Sequence, residues 1–270
     1  MTAPLFSIVV PTHDRPTLLS QALKSVLQQT VQDWECIVAD DAGTRAVDVP
    51  IDARIRVVRL PVNQGAAAAR KVGVDAALGS WVVFLDDDDE LEPDRLELIA
   101  SDLRGDIIVL SVGRQLNGNV YGSIADGFTP HLGTVAVRRD VFVRFDATYR
   151  TCEDVDWWLR IARNASVATI AGNGYVVTRH DGARHLSGDA ARLRDSRRLL
   201  VDHADYFATH RRARAFRELR IAVYAKRLRL KREAARALVS SFRTRPSLQA
   251  LRQLVGIVAT ALTTQSARTR

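Results

Sequence analysis

Four consecutive aspartates, residues 86–89, follow the apolar run of residues 81–85, whose composition is typical of a buried strand. Carboxylates this close together repel one another unless a cation lies among them, and hard oxygen ligands suit Mg²⁺ or Mn²⁺. Because Mg²⁺ commonly combines one or two carboxylates with substrate phosphates, the run predicts a metal-bridged phosphate ligand. Taken alone, the same residues equally suit a solvated acidic turn before the helix that Pro93 opens.

Polar residues also follow two other predicted strands. Residues 6–10 lead into the polar residues 12–14, and residues 35–39 lead into Asp40 and Asp41. Ligands of a doubly wound sheet bind in the crevice beyond the carboxyl ends of its strands. The three polar clusters are therefore expected to converge in one crevice, which favours the phosphate ligand over the solvated turn.

The elements that position these clusters are predicted from apolar periodicity. Strands are expected over residues 6–10, 35–39, 55–60, 81–85, 107–112 and 175–177, with weaker strand-like segments at 119–124 and 134–137. Helices are expected over residues 17–30, 65–78, 94–103 and 151–163. Asn63 is predicted to cap the second helix. The alternation of strands and helices predicts an α/β fold with a mostly parallel central sheet.

The helix predicted at residues 151–163 has an acidic first turn. Glu153, Asp154 and Asp156 fall there, ahead of an apolar face that includes Trp158 and Leu159. Carboxylates near a helix N-terminus are stabilised by the helix dipole. These acids therefore either stabilise the helix alone or take part in a reaction.

The charge of the chain is unevenly distributed. The 270 residues carry a net charge of +8, with 47% hydrophobic and 26% charged residues, which is ordinary for a soluble globular protein. Residues 189–270 hold 20 Lys and Arg against 6 Asp and Glu, whereas residues 1–188 hold 19 against 25. We therefore predict a domain over residues 1–188 and a basic helical extension over residues 189–270.

The two cysteines, Cys36 and Cys152, provide neither a disulfide framework nor metal-ligand spacing. Together with an N-terminus that runs almost directly into a strand, they predict a cytoplasmic protein without a signal peptide. The apolar stretch at residues 254–262 is too short to span a bilayer, which takes about 20 residues.

The basic extension has apolar stripes at helical spacing, at residues 216–223 and 248–262. The favoured interpretation is packing on the parent domain or on a second copy in a homo-oligomer. The alternative is peripheral docking on an anionic membrane at its inner face. Because no aromatic residues are interleaved with the arginines, we do not expect nucleic acid to bind.

Residues 6–187 resemble the family 2 glycosyltransferases of the GT-A fold in the order and spacing of six short motifs. These are Ser7-Ile8-Val9-Val10-Pro11-Thr12, Val26-Leu27-Gln28-Gln29-Thr30, Trp34-Glu35 with Val38-Ala39-Asp40-Asp41, Asn63-Gln64-Gly65 through Ala69-Arg70, Phe84-Leu85-Asp86-Asp87-Asp88-Asp89, and Glu153-Asp154 before Asp156-Trp157-Trp158. The resemblance implies a nucleotide-sugar donor, a UDP-sugar, and an acceptor that the sequence does not name.

Site residues follow from the same resemblance. It assigns the donor pocket to Thr12, Asp14, Asp41, Arg70, Asp86 and Asp87, with Asp41 on the base and Asp87 on the ribose side. Asp88 is implied as the ligand of Mn²⁺ or Mg²⁺ within a DxD-type motif. His180 is similar to a late histidine that reaches the metal or diphosphate in some relatives, although a structural loop histidine is an equal interpretation.

The resemblance further implies that Asp154 is the general base of an inverting transfer. The Gln-x-x-Arg-Trp element of processive synthases is missing after Trp158, which favours transfer of one sugar at a time. Two positions depart from the family pattern, Ala42 where glycine is usual and Lys71 where asparagine is usual. The alternatives are a sugar nucleotidyltransferase, which the lack of a Gly-rich loop at residues 11–16 disfavours, and a nucleotide-binding or membrane-docking adaptor without turnover.

Overall fold

The computed structural model of the chain describes residues 3–113, 115–124, 129–178 and 188–247. Two compact units are present, one formed by Met1–Tyr121 with Thr129–Gly182 and the other by Gly122–Phe128 with Ala183–Arg270. The predicted division into residues 1–188 and 189–270 stays a prediction.

The first unit is built on a seven-stranded sheet with the order β3-β2-β1-β4-β7-β6-β8. Its strands are β1 (Phe6–Thr12), β2 (Trp34–Asp40), β3 (Ile55–Arg59), β4 (Trp81–Phe84), β6 (Ile107–Ser111), β7 (Val135–Arg138) and β8 (Val167–Ala171). A separate antiparallel pair consists of β5 (Asp89–Leu91) and β9 (Tyr175–Val177). The helices that accompany these strands are α1 (Pro16–Leu27), α2 (Ala66–Ala76), α3 (Arg95–Ala100) and α5 (Glu153–Ile161). The short helix α4 (Tyr121–Ile124) spans the point in the chain at which the two units divide.

Every residue of the three central strands β1, β2 and β4 is buried. Strands covered on both faces by helices need apolar side chains on both faces, which explains why these segments are nearly continuous apolar runs. The four strands β1 to β4 run parallel to one another. The predicted α/β fold with a mostly parallel sheet is confirmed.

The antiparallel strand β7 separates β4 from β6. In the parallel part, Thr12 pairs with Asp40 and Phe84 pairs with Val9, so β1, β2 and β4 end at the same edge of the sheet. Because β7 runs in the opposite direction, its first residues lie at that edge as well. Ala136 of β7 pairs with Val83 of β4.

Several local predictions were wrong, among them the end of α1, which lies at Leu27 and not at residue 30. Residues 121–124 form the helix α4 where residues 119–124 were predicted as a strand, because the segment is too short for its periodicity to decide. The helix α2 is preceded by Gly65, whose φ is +91° and which makes no side-chain cap, so Asn63 is not the cap. The Asn63 side chain instead accepts a hydrogen bond from Arg150 at 3.4 Å. The helix α3 ends at Ala100, three residues before the predicted end.

The second unit contains the helices α6 (Asp189–Asp202), α7 (Ala204–Thr209), α8 (Arg211–Arg227) and α9 (Lys231–Thr244). Leu193, Ile221 and Tyr224 pack with Ala225 and Ala234 in its core. Of the predicted stripe at residues 216–223, Leu219 is buried but Phe216 is 41% exposed. The stripe at residues 248–262 lies outside the described residues. Among the described residues, none of the helices combines the length and hydropathy that a bilayer crossing requires.

Candidate active site

The end of β1 contacts the aspartate run through two side chains. The Thr12 hydroxyl donates to Asp87 Oδ2 at 2.7 Å. Arg15, which follows in the loop before α1, lies with Nη1 3.0 Å from Asp87 Oδ1 and 3.1 Å from Asp88 Oδ2. A cation of the chain itself therefore pairs with two of the four aspartates.

Asp41, the residue directly after β2, fixes the loop that leads into α2. Both carboxylate oxygens of Asp41 accept backbone N–H groups, from Gln64 at 2.7 Å and from Gly65 at 2.6 Å. Because Asp41 is buried, this clamp fixes the loop beside the strand ends. The neighbouring carboxylate of Asp14 accepts both the backbone N–H and the hydroxyl of Thr44, which fixes the turn after β2.

Arg70 connects β4 with the acidic helix α5. Its Nη2 donates to Asp86 Oδ1 at 2.6 Å and its Nη1 donates to Glu153 Oε1 at 2.9 Å. Arg70 is itself buried, and the two acids raise the pKa of its guanidinium against the effect of burial. A buried ion pair of this kind sets a definite distance between the elements that carry its partners.

The three acids in the first turn of α5 have different partners. Glu153 pairs with Arg70, and Asp156 is buried and pairs with Arg160 at 2.7 Å. Asp154 is half-buried, and its Oδ1 accepts the N–H of Val155 at 2.8 Å. The contacts of Glu153 thus place the start of α5, with Asp154 one residue further, beside Asp86.

Asp86, Asp89 and His131 each offer a ligand atom, and these atoms lie within 4.8 Å of one another. Tyr175 donates to Asp89 at 2.5 Å and the Thr178 N–H donates at 3.0 Å, so this carboxylate has a fixed orientation. Two carboxylates and an imidazole fit a divalent ion such as Mn²⁺.

This cluster differs from the predicted ligand pair. Asp88 pairs with Arg15, and His180 lies outside the described residues. His131 was missed because it precedes β7, and only the antiparallel course of that strand brings it to the end of β4. Asp89 could have been found, since it belongs to the aspartate run.

Burial and the surrounding cations set the charge of these acids. Burial disfavours the charged form of Asp86, but Arg70 and His131 outweigh it and lower the pKa of this carboxyl. Burial raises the pKa of Asp87 although Thr12 and Arg15 oppose the shift. Burial also raises the pKa of Glu153, which Arg70 opposes and Asp154 reinforces. The lowered pKa of Asp86 favours the ionised form that a metal ligand needs.

The family model described as Glycosyl transferase family 2 matches residues 7–127. This segment is similar to the family 2 glycosyltransferases. It includes β1, β2, β4 and the aspartate run, while α5 lies beyond the matched residues. The match favours the glycosyltransferase over the nucleotidyltransferase alternative.

Known proteins support this assignment at the levels of sequence and fold. An uncharacterized glycosyltransferase of Haemophilus influenzae is 37% identical over 103 residues, which cover 36% of this chain and 41% of that protein. The matched part is thus about two fifths of that relative.

Two solved structures have a similar fold. Residues 1–349 of S. aureus TarS superpose with a TM-score of 0.59 and 18% identity, covering 91% of this chain and 81% of that segment. The mannosyltransferase PcManGT of Pyrobaculum calidifontis, solved with GDP-Man and Mn²⁺, gives a TM-score of 0.58 and 19% identity, covering 97% and 81%. The predicted GT-A fold is confirmed.

Three non-glycine residues with left-handed backbone conformations flank the candidate site. Asp14 follows β1 with φ +53°, Ala42 follows β2 with φ +57°, and Cys152 precedes α5 with φ +61°. At Ala42 the backbone adopts the conformation that glycine favours, although the sequence departs from the family pattern there. Such conformations cost about 1–3 kcal/mol each and are concentrated at functional sites.

Proposed function

We propose that the chain is a metal-dependent, inverting, non-processive glycosyltransferase that moves one sugar from a UDP-sugar to an acceptor hydroxyl. The supporting observation is the contact network that joins the ends of β1 and β4 to the start of α5. Thr12 bonds Asp87, and Arg70 bonds both Asp86 and Glu153. The donor pocket and the general base then lie at one edge of the sheet.

The donor would bind across the strand ends. Asp41 is assigned to the nucleotide base, with Thr12 and Asp14 beside it, and Asp87 is assigned to the ribose. Asp86, Asp89 and His131 would hold the divalent ion, with Asp88 as the ligand that the family resemblance adds. When bound, such an ion stabilises as a Lewis acid the negative charge that develops on a diphosphate leaving group.

Asp154 acts on the acceptor. Its carboxylate takes the proton of the acceptor hydroxyl as that oxygen attacks the anomeric carbon opposite the diphosphate. Arg70 bonds both Glu153 and Asp86 and so holds the start of α5 near the end of β4, which supports this role of Asp154. A single displacement of this kind inverts the configuration of the anomeric carbon.

The structural neighbours support a nucleotide-sugar donor. TarS has been solved with UDP and with UDP-GlcNAc, and PcManGT with GDP-Man and Mn²⁺. For this chain the expected nucleotide is uridine diphosphate, and guanosine diphosphate serves as the comparison.

A thermal-shift screen tests the donor before the acceptor is known. UDP with Mn²⁺ should raise the melting temperature, UDP with EDTA should raise it less, and GDP with Mn²⁺ should have a smaller effect. Stabilisation by a saturating ligand follows its affinity for the folded state. No shift with any nucleotide and Mn²⁺ would overturn the proposal, and a preference for GDP would overturn the choice of nucleotide.

The substitution Asp154→Asn tests the general base. We expect transfer to fall by about 10²–10⁴-fold because the amide cannot accept the hydroxyl proton, while the UDP-induced thermal shift is retained. Asp140→Asn is the matched control, since Asp140 is exposed and pairs with Arg138. Equal activity in the two variants would remove Asp154 from the mechanism. NMR of the product that showed retained configuration would contradict the single displacement.

A further inference from the structure

The second unit contains a cavity of about 690 Å³ between α7, the start of α8 and α9. Four arginines line it, Arg211 and Arg214 from α8 and Arg236 and Arg243 from α9. All four are exposed. We call these arginines and the apolar residues between them the arginine groove.

Positive charge in the arginine groove exceeds negative charge. The Nε of Arg214 donates to Glu218 at 3.1 Å, and the same carboxylate accepts the hydroxyls of Ser240 and Thr244. Arg211 donates to the backbone oxygen of Thr244 at 3.1 Å. Within the described ranges, neither Arg236 nor Arg243 forms an ion pair with a carboxylate. At least three guanidinium charges are therefore available to an anion.

Residues 245–270 do not provide this anion, because they contain no aspartate and no glutamate. The second unit of another copy would be equally basic, so its charge disfavours pairing of two such units at the groove. Charge complementarity therefore requires an anion that the second unit does not supply.

The groove is apolar between its arginines. Val239 is 38% exposed between the two arginines of α9, and Ala208 and Ala235 line the same space. Guanidinium groups bind phosphate oxygens in bidentate geometry, and an aliphatic surface beside them suits a hydrocarbon chain. Phe207 also lines the cavity, but it is buried and presents no face on which a nucleobase could stack. The combination favours an amphipathic phosphate over a nucleic acid.

We propose that the arginine groove binds the phosphate headgroup of an anionic lipid and thereby attaches the chain to an anionic membrane surface. The site is independent of the donor pocket, because every residue that forms it belongs to the second unit. Basic residues near such a surface are attracted to its anionic headgroups.

Vesicle sedimentation of the full chain at low salt tests the site. The chain should sediment with vesicles of phosphatidylcholine mixed with phosphatidylglycerol and remain in solution with phosphatidylcholine alone. The variant Arg211→Gln, Arg236→Gln, Arg243→Gln should lower the partition coefficient at least tenfold. Arg214 is kept in this variant, because its removal would leave the buried Glu218 without its cation.

A matched control distinguishes vesicle binding by the arginine groove from an effect of the chain's net charge. The variant Lys226→Gln, Arg232→Gln, Arg245→Gln removes three exposed charges that do not line the groove, and it should bind within about threefold of the original chain. Equal losses in the two variants would overturn a defined site. The same conclusion follows if the chain fails to bind the anionic vesicles.

Two competition experiments distinguish a lipid headgroup from other ligands of the arginine groove. Inorganic phosphate that releases the chain at millimolar concentration would identify a free phosphate site, and a single-stranded oligonucleotide that binds more tightly than vesicles would identify a nucleic acid site. Either result overturns the lipid assignment. Thermal shifts with UDP and Mn²⁺ should be the same in both triple variants, so failure here leaves the proposed function unaffected.

Discussion

Arg15 lies beside the aspartate run at which we propose that the metal binds. It contacts Asp87 and Asp88 with one nitrogen, and its side chain is 27% exposed. Burial lowers the pKa of its guanidinium, but the two aspartates outweigh this and raise it, so the group remains charged. A divalent ion that approaches Asp88 therefore meets a cation already present. Arg15 and an ion bound to Asp88 would therefore compete for that one carboxylate.

Replacement of Arg15 should expose that competition. We expect Arg15→Gln to raise the affinity for Mn²⁺ in the absence of nucleotide by about fivefold, the effect of one screened ion pair of about 1 kcal/mol. Titration followed by the EPR signal of free Mn²⁺ measures this directly. Arg104→Gln is the control, because Arg104 pairs with Asp102 on the surface. Weaker binding of Mn²⁺ by Arg15→Gln would mean that Arg15 supports the metal site.

At the level of elements, α2 is seated on β1 through one glycine. A Cβ added at Gly73 would lie 2.4 Å from Cγ1 of Val9, a fully buried residue in the middle of β1. The side chain of Arg70 starts one turn earlier on the same helix and reaches Asp86. The close approach of the helix to the strand thus controls where Arg70 places its charge.

The substitution Gly73→Ala tests this seating. Alanine favours helix by about 1 kcal/mol, but overpacking against Val9 costs about 1–3 kcal/mol, so we expect a net loss of about 1 kcal/mol in the free energy of unfolding. Chemical denaturation monitors the loss. Gly113→Ala is the control, since a Cβ there meets nothing within 4 Å among the described residues. Stabilisation by Gly73→Ala would show that α2 shifts freely over the sheet.

Across the whole first unit, Glu35 joins strands that are distant in sequence. Its carboxylate accepts the hydroxyl of Ser7 at 2.7 Å, the N–H groups of Leu78 and Gly79, and the guanidinium of Arg56 at 2.9 Å. Burial opposes its ionisation, but Ser7, Leu78 and Arg56 outweigh burial and hold the pKa of Glu35 below its usual value. The ionised carboxylate therefore stabilises β1, β2 and the turn before β4 together.

The stabilisation should depend on pH. A folded pKa below the unfolded value, which is about 4.3, gives a contribution that is complete above that value and disappears as the pH falls below it. We expect Glu35→Gln to lower the free energy of unfolding by about 1–3 kcal/mol at pH 7, and the difference from the original chain to shrink as the pH falls below about 4. Denaturation at several pH values measures both quantities. Glu97→Gln, at an exposed residue, should show no such convergence, and a constant difference for Glu35→Gln would disprove the linkage.

The parallel strands and the convergence of the acids were predictable because they depend on local patterns. Apolar runs identify β1, β2 and β4, and the geometry of a parallel sheet places the residues after them at one edge. The short strand β5 was not predicted because Asp89 and Glu90 interrupt any apolar run there. The four residues of α4 carry too little periodicity to distinguish a helix from a strand.

The sequence by itself determined where the central strands lie along the chain, the aspartate run and the acidic start of α5. Only the tertiary structure decided which side chains share the site. His131 arrives through the reversed direction of β7, Arg70 joins residues 16 and 83 positions away, and Arg15 contacts Asp87 across 72 positions. These contacts depend on how distant elements pack, and spacing along the chain carries no information about that packing.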